Sequence, residues 1–161
     1  MCIRDRDEYF LGSTYFAKQY AAGDNATEPR DYTYNYGILV DMIGDKDLQL
    51  YQERNSLSFP ATRPLVQSIW ATAAKMRVRE FIARPNTEVL DDHLPLNRIA
   101  KIPTCDIIDF DYPNPRARFS YWHTTQDTAD KCSGASLEKV GKVVLQWLRL
   151  IQKQPAKKGP K

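Results

Sequence analysis

Two short apolar runs constrain this chain most. NYGILVDMIG (35–44) is almost continuously apolar from Ile38 to Ile43, is interrupted by Asp41 alone and is stopped by Gly44. IPTCDIIDF (102–110) is its counterpart in the second half of the chain. Runs of this kind suit strands buried on both faces, which occur where helices cover both sides of a sheet. A chain built around them is expected to form an α/β fold.

The segments around these runs agree. EYFLGSTYFAKQYAA (8–22) places Leu11, Tyr15, Phe16 and Ala22 at helical spacing and ends in the breakers GDNATEP. LQLYQE (48–53) alternates in character and is predicted as a second strand. PATRPLVQSIWATAAKMR, beginning at Pro60, puts Leu65 or Val66, Ile69, Trp70, Ala73 and Met76 on one stripe, followed by a polar loop up to Glu88. SLEKVGKVVLQWLRLIQ (136–152) has Ser136 as a natural N-cap, with Leu137, Val140, Val144, Leu148 and Ile151 along one face. Trp70 and Trp147 fall on helical stripes and read as core anchors. Strands alternating with helices predict a three-layer α/β/α sandwich with a mixed, mostly parallel sheet.

With 161 residues and 42% hydrophobic content, the chain fits within the roughly 100–200 residues of one domain. The net charge of +3 is spread along the chain, which gives nucleic-acid binding little support, and no run approaches the roughly 18 apolar residues of a membrane span. The opening MCIRDR (1–6) fits no helix or strand pattern and is set aside as a leader foreign to the fold; QPAKKGPK (154–161) reads as a disordered tail. Setting the leader aside leaves Cys105 and Cys132, which form neither a CxxC pair nor a zinc-knuckle spacing, and a disulfide between them stays open.

Several residues have the chemistry of a site. Asp41 interrupts an apolar strand, where an unpaired carboxylate costs several kcal/mol; it is satisfied either by backbone amides or an Arg, or as a metal ligand beyond the carboxyl end of its strand. His123, in FSYWHTTQDT (119–128), is either a surface imidazole or a zinc ligand backed by the aromatic Trp122. In DDHLP (91–95), Asp91 or Asp92 caps a short helix beginning near Leu94, or orients a ligand or a substrate amine. Asp106 and Asp109 raise the same question, and Arg116 and Arg118 read as solvated charges. No Gly-rich phosphate loop, serine nucleophile elbow or HExxH helix is present.

VDMIGDKDL (40–48), QERNS (52–56), DDHLPL (91–96), IPTCDIIDFDYP (102–113), YWHTTQDT (121–128) and SLEKVGKVVLQWL (136–148) together resemble, in order and spacing, the zinc exopeptidases of the bacterial leucyl aminopeptidase and glutaminyl cyclase family. The resemblance implies a zinc-dependent aminopeptidase acting on peptides with a free N-terminus, with one or two zinc ions. It implies Asp41 and His123 as metal ligands, and Asp91, Asp92, Asp106 and Trp122 as pocket or supporting residues. Asp106 falls where the cyclases tend to carry a His, which places the chain nearer the peptidase-like members. Glutaminyl cyclisation and a non-catalytic binding role are the alternatives. The family's His-x-Asp and acidic-pair motifs, including its general-base Glu, have no counterpart in the sequence. Residues 7–153 are therefore expected to be the C-terminal part of one such domain, inactive alone, with an exported parent.

Overall fold

The computed structural model describes residues 9–25, 31–112 and 120–153. The leader, the tail, Arg116 and Arg118 lie outside the described residues. Among the described residues, nine regular elements follow one another: α1 (Leu11–Ala22), β1 (Gly37–Asp41), β2 (Leu50–Gln52), α2 (Arg54–Ser58), α3 (Arg63–Lys75), β3 (Phe81–Pro85), α4 (His93–Arg98), β4 (Thr104–Ile108) and α5 (Gly134–Gln152). Single 3-10 turns follow α1 and precede α5.

Both ladders are parallel, as the apolar runs imply. β1 pairs with β4 in continuous register from Gly37 opposite Thr104 to Asp41 opposite Ile108, and β2 pairs with β3. The two pairs meet where the Gln49 N–H donates to Asp109 Oδ2 at 2.8 Å, just beyond the end of β4.

All five residues of β4 are buried, and its two faces meet different layers. Cys105 and Ile107 point into the main core with Leu65, Val66, Ile69 and Trp70 of α3, Val140, Val143 and Trp147 of α5, and Leu50 and Phe81 of β2 and β3. Asp106 points the other way, toward His93 of α4, while Asn97 of the same helix bonds the Thr104 backbone. A second, smaller cluster joins Ala17 of α1 to Ala100 and Ile102 after α4. Helices thus cover both faces of β4, and the three-layer α/β/α arrangement follows from the period-two alternation of one strand. Each large aliphatic side chain buried this way stabilises the fold by about 1.5–3 kcal/mol.

Several expectations are corrected. The residue that α1 buries is Ala17, while Leu11, Tyr15 and Phe16 of the expected stripe are exposed. Only a small side chain permits the close approach of α1 to the turn after α4. The segment expected to be a polar loop contains β3, and α2 precedes the helix after Pro60. α5 starts at Gly134 behind Ser133; Ser136 lies inside it, buried, where its hydroxyl donates to the Asp45 carbonyl at 2.6 Å. Its buried line is Val140, Val143 and Trp147, with Leu137 and Leu148 exposed. Trp70 and Trp147 are core residues, and their indole N–H groups donate to the Leu50 carbonyl and the Ser68 hydroxyl. Cys105 and Cys132 are both free thiols.

Candidate functional site

Side chains with site chemistry collect at the carboxyl ends of β1, β2 and β4, where ligands bind in open α/β sheets. Asp41 is the last residue of β1 and is exposed, not enclosed in an apolar strand. The reason is that the end of β1 rises to the surface, with Val40 also 46% exposed. One Asp41 oxygen accepts the Met42 N–H at 2.8 Å, where Met42 turns the chain at φ 50°. A carboxylate so placed needs no compensating cation from the interior.

Asp91 and Asp92 precede α4. Asp92 occupies the N-cap position but makes no side-chain cap bond, and the helix begins at His93. Asp91 instead accepts the Asp92 N–H at 2.6 Å through its carboxylate, and its carbonyl accepts from Leu94. Burial first, and then the charges of Asp41 and Asp92, push the Asp91 carboxyl above the usual range. Like charges have been gathered rather than neutralised.

Behind these acids the sequence candidate Asp106 is buried with two residues that the sequence did not single out, Glu53 and His93. Glu53, at the end of β2, caps α2: its carboxylate accepts N–H groups from Asn55 at 2.7 Å, Ser56 at 2.5 Å and Val89 at 3.0 Å. Glu53 Oε2 lies 3.3 Å from His93 Nε2, and His93 Nδ1 lies 3.7 Å from Asp106 Oδ2. Glu53 is 3% exposed, and His93 and Asp106 are not exposed at all. Burial works against ionisation of Glu53, but His93 and the three backbone donors outweigh it and hold this carboxyl below its ordinary value. Asp106 is the opposite case: burial, then the charges of Asp91, Glu53, Asp41 and Asp92, push it up to about 8. The signals in the sequence were an acid two residues before an Asn-Ser helix start, and a histidine directly after two aspartates. Neither says that they meet.

His123 and Trp122 sit apart from this group on the surface of the 120–128 turn. Their rings stack at 3.9 Å, and Trp122 meets Phe110 edge-on at 5.7 Å. His123 is exposed, with φ 59°, and so presents its imidazole to solvent. The turn is braced by Tyr112, whose hydroxyl donates to Asp127 at 2.9 Å. A small pocket beside Glu53 is lined by Tyr51, Val89, Ile108 and Phe110 among others.

Asp41 and His123 have the donor chemistry that zinc takes. The described residues do not join either to a group of three or more His, Cys, Asp or Glu side chains arranged to hold a metal ion. These residues by themselves do not compose a zinc centre. Of the sequence candidates, Asp41, Asp91, Asp92 and Asp106 share one electrostatic neighbourhood, and Trp122 and His123 form the stacked pair on the turn.

Solved structures resemble this fold. A glutaminyl cyclase of Porphyromonas gingivalis matches with a TM-score of 0.76 and 29% identity, over 93% of this chain and 51% of its own. A Zn-dependent exopeptidase from Parabacteroides distasonis matches with a TM-score of 0.74 and 30% identity, over 96% of this chain and 49% of its own. A leucine aminopeptidase precursor from Bacteroides thetaiotaomicron gives a TM-score of 0.71 and 30% identity, over 91% of this chain and 45% of its own. The chain therefore spans about half the length of the solved structures it matches. A comparison with curated proteins gives no match. The family model for peptidase family M28 matches residues 5–148, and the chain belongs to that family.

Proposed function

We propose that this chain contributes one wall of the active site of a zinc-dependent aminopeptidase, an enzyme that hydrolyses the N-terminal peptide bond of a peptide with a free amino terminus. The observation that carries the reading is the gathering of Asp41, Asp91 and Asp92 around the buried Asp106 at the carboxyl ends of β1 and β4. A concentration of carboxylates at one point costs stability, and a cationic ligand such as a metal ion or a peptide α-ammonium relieves that cost. In this reading Asp41 and His123 are ligands of the zinc for which the exopeptidase neighbour is named. Trp122 and Phe110 form the apolar side of the substrate pocket. In this reading further donors and the general base come from outside the described residues and the chain alone is inactive; export of the parent is a separate part of the proposal, taken from the family resemblance.

Glutaminyl cyclisation is the second reading, favoured by the likeness to the Porphyromonas gingivalis cyclase at the same level of identity as to the peptidases. One assay separates the two. A protein containing this chain and extended to the neighbours' length is incubated with Leu- and Gln-initiated peptides. Release of free leucine supports hydrolysis; pyroglutamate without released amino acids overturns it in favour of cyclisation.

A further inference from the structure

Among the described residues, the buried side-chain nitrogens and oxygens without a hydrogen-bond partner are Asp45 Oδ2, both ring nitrogens of His93 and both carboxyl oxygens of Asp106. All but one of these atoms belong to a single contact pair. A histidine kept merely as a core residue is expected to satisfy its nitrogens with nearby carbonyls, because each buried unsatisfied polar group costs about 1–3 kcal/mol. His93 faces a carboxylate on each side instead.

The two sides are not equivalent. Glu53 is immobilised by three backbone N–H groups drawn from α2 and from Val89, so its position is set before His93 is considered. The backbone of His93 is held as well: its carbonyl accepts from the Asn97 side chain at 2.9 Å, and the same side-chain amide donates to the Thr104 carbonyl of β4 at 2.7 Å. Asp106 has no such support. Its backbone N–H donates to Ser56 Oγ at 3.0 Å, but among the described residues its carboxyl group has only His93 Nδ1 within ion-pair distance.

We propose that His93 is a positioning residue: Glu53 fixes its ring through Nε2, and Nδ1 in turn holds the Asp106 carboxyl group in the orientation from which it backs Asp41 and Asp91. The proton assignment follows from the partners. Nε2, 3.3 Å from the Glu53 carboxylate, carries the hydrogen, which leaves Nδ1 as the acceptor facing the Asp106 carboxyl group at 3.7 Å, a gap that a small movement of the Asp106 side chain closes. Burial of Asp106 favours the neutral carboxyl, the form that has a hydrogen to donate. Glu53, His93 and Asp106 thus form a relay from the α2 cap to the acid wall. Its functional meaning rests on the active-site reading above, whereas the relay itself does not.

The test is long-range 1H–15N NMR of the whole chain labelled at histidine. The sequence contains two histidines, so His123→Ala assigns the spectrum. The expected result is a His93 ring protonated at Nε2 with an acceptor-type Nδ1. Asp106→Leu is expected to move the Nδ1 resonance downfield as its donor is lost, and Asp106→Asn, whose carboxamide can donate, to retain much of the wild-type position. A neutral His93 ring protonated at Nδ1, or an Nδ1 resonance that Asp106→Leu leaves unmoved, overturns the proposal. Should Asp106→Leu fail to fold, the wild-type tautomer decides alone. Neither readout involves zinc or turnover, so failure of the peptidase assay leaves the relay standing, and failure of the relay leaves the peptidase reading standing.

Discussion

Gly37 and Thr104 face each other across the β1–β4 ladder so closely that a Cβ on residue 37 would lie 2.5 Å from Thr104 Oγ1 and 2.9 Å from its Cγ2. The contact opens the register that ends with Asp41 opposite Ile108, so the glycine sets where Asp41 stands relative to Asp106. Gly37→Ala is expected to destabilise the fold by about 1–3 kcal/mol through overpacking. Adding Thr104→Ala, which removes the two nearest atoms, is expected to recover part of that loss. Urea denaturation of the single and double variants checks both statements.

Asn97 ties α4 to β4 and α3. Its amide donates to the His93 and Thr104 carbonyls, and its carbonyl accepts from the Thr104 N–H at 3.3 Å and from the Thr62 hydroxyl. Every one of these groups is buried. Asn97→Ala orphans them and is expected to cost about 3 kcal/mol, near the upper end for a single substitution. A urea midpoint close to wild type would contradict the assignment of this side chain as the α4 anchor.

The buried acids make stability depend on pH in the less common direction. Burial and neighbouring charges push Asp106 up to about 8, and burial, opposed by the Gln49 N–H, pushes Asp109 up to about 7. Both folded values lie above the roughly 3.9 of an unfolded Asp, so the folded state binds the extra protons. Stability from these groups is full below about pH 4 and is lost as pH rises through about 7–8. For a single group the loss runs at about 1.4 kcal/mol for each pH unit between its unfolded and folded values. Glu53, held below its ordinary value, acts oppositely, and its contribution is lost in acid. The melting temperature is therefore expected to fall by more than about ten degrees between pH 5 and 8. Asp109→Asn, which can keep an acceptor for Gln49, is expected to flatten the fall; an equally steep profile in that variant rules out Asp109 as a source.

Asp41 and His123 are exposed and contribute nothing to the two cores. Asp41→Asn and His123→Ala are expected to leave stability within about 0.5 kcal/mol of wild type. In a protein extended to the neighbours' length, each is expected to lower zinc content at least tenfold, measured by atomic absorption after dialysis. Retained stoichiometric zinc in both variants would remove these residues from the ligand set.

Legibility followed the range of the forces involved. The runs at 35–44 and 102–110 announced β1 and β4 by their apolar character, but only β4 is buried throughout, as a strand covered on both faces must be; β1 is half-buried and ends exposed at Val40 and Asp41. The stripe from Leu65 to Ala73 announced α3 for the corresponding helical reason. β3 was hidden because only Phe81 of its five residues is buried, and its exposed Arg84 and Pro85 read locally as loop. The start of α5 was misplaced because Ser133 and Ser136 are equally good caps in sequence. What separates them is the Asp45 carbonyl, which takes the Ser136 hydroxyl.

The candidate site divides along the same line. The amino-acid sequence alone determined that Asp41 belongs to a sheet strand, that Asp91 and Asp92 precede a helix, and that the ordered motifs resemble an exopeptidase family. Each of these is a statement about neighbours along the chain. Only the tertiary structure decided that Asp41 is exposed, that Asp106 is enclosed, and that Glu53 and His93 meet behind the acids. Those outcomes depend on which face of β4 meets α4 and on how the end of β2 abuts the loop at Val89. A carboxylate's charge state is set by distance and burial, and these come into being only when separate segments pack.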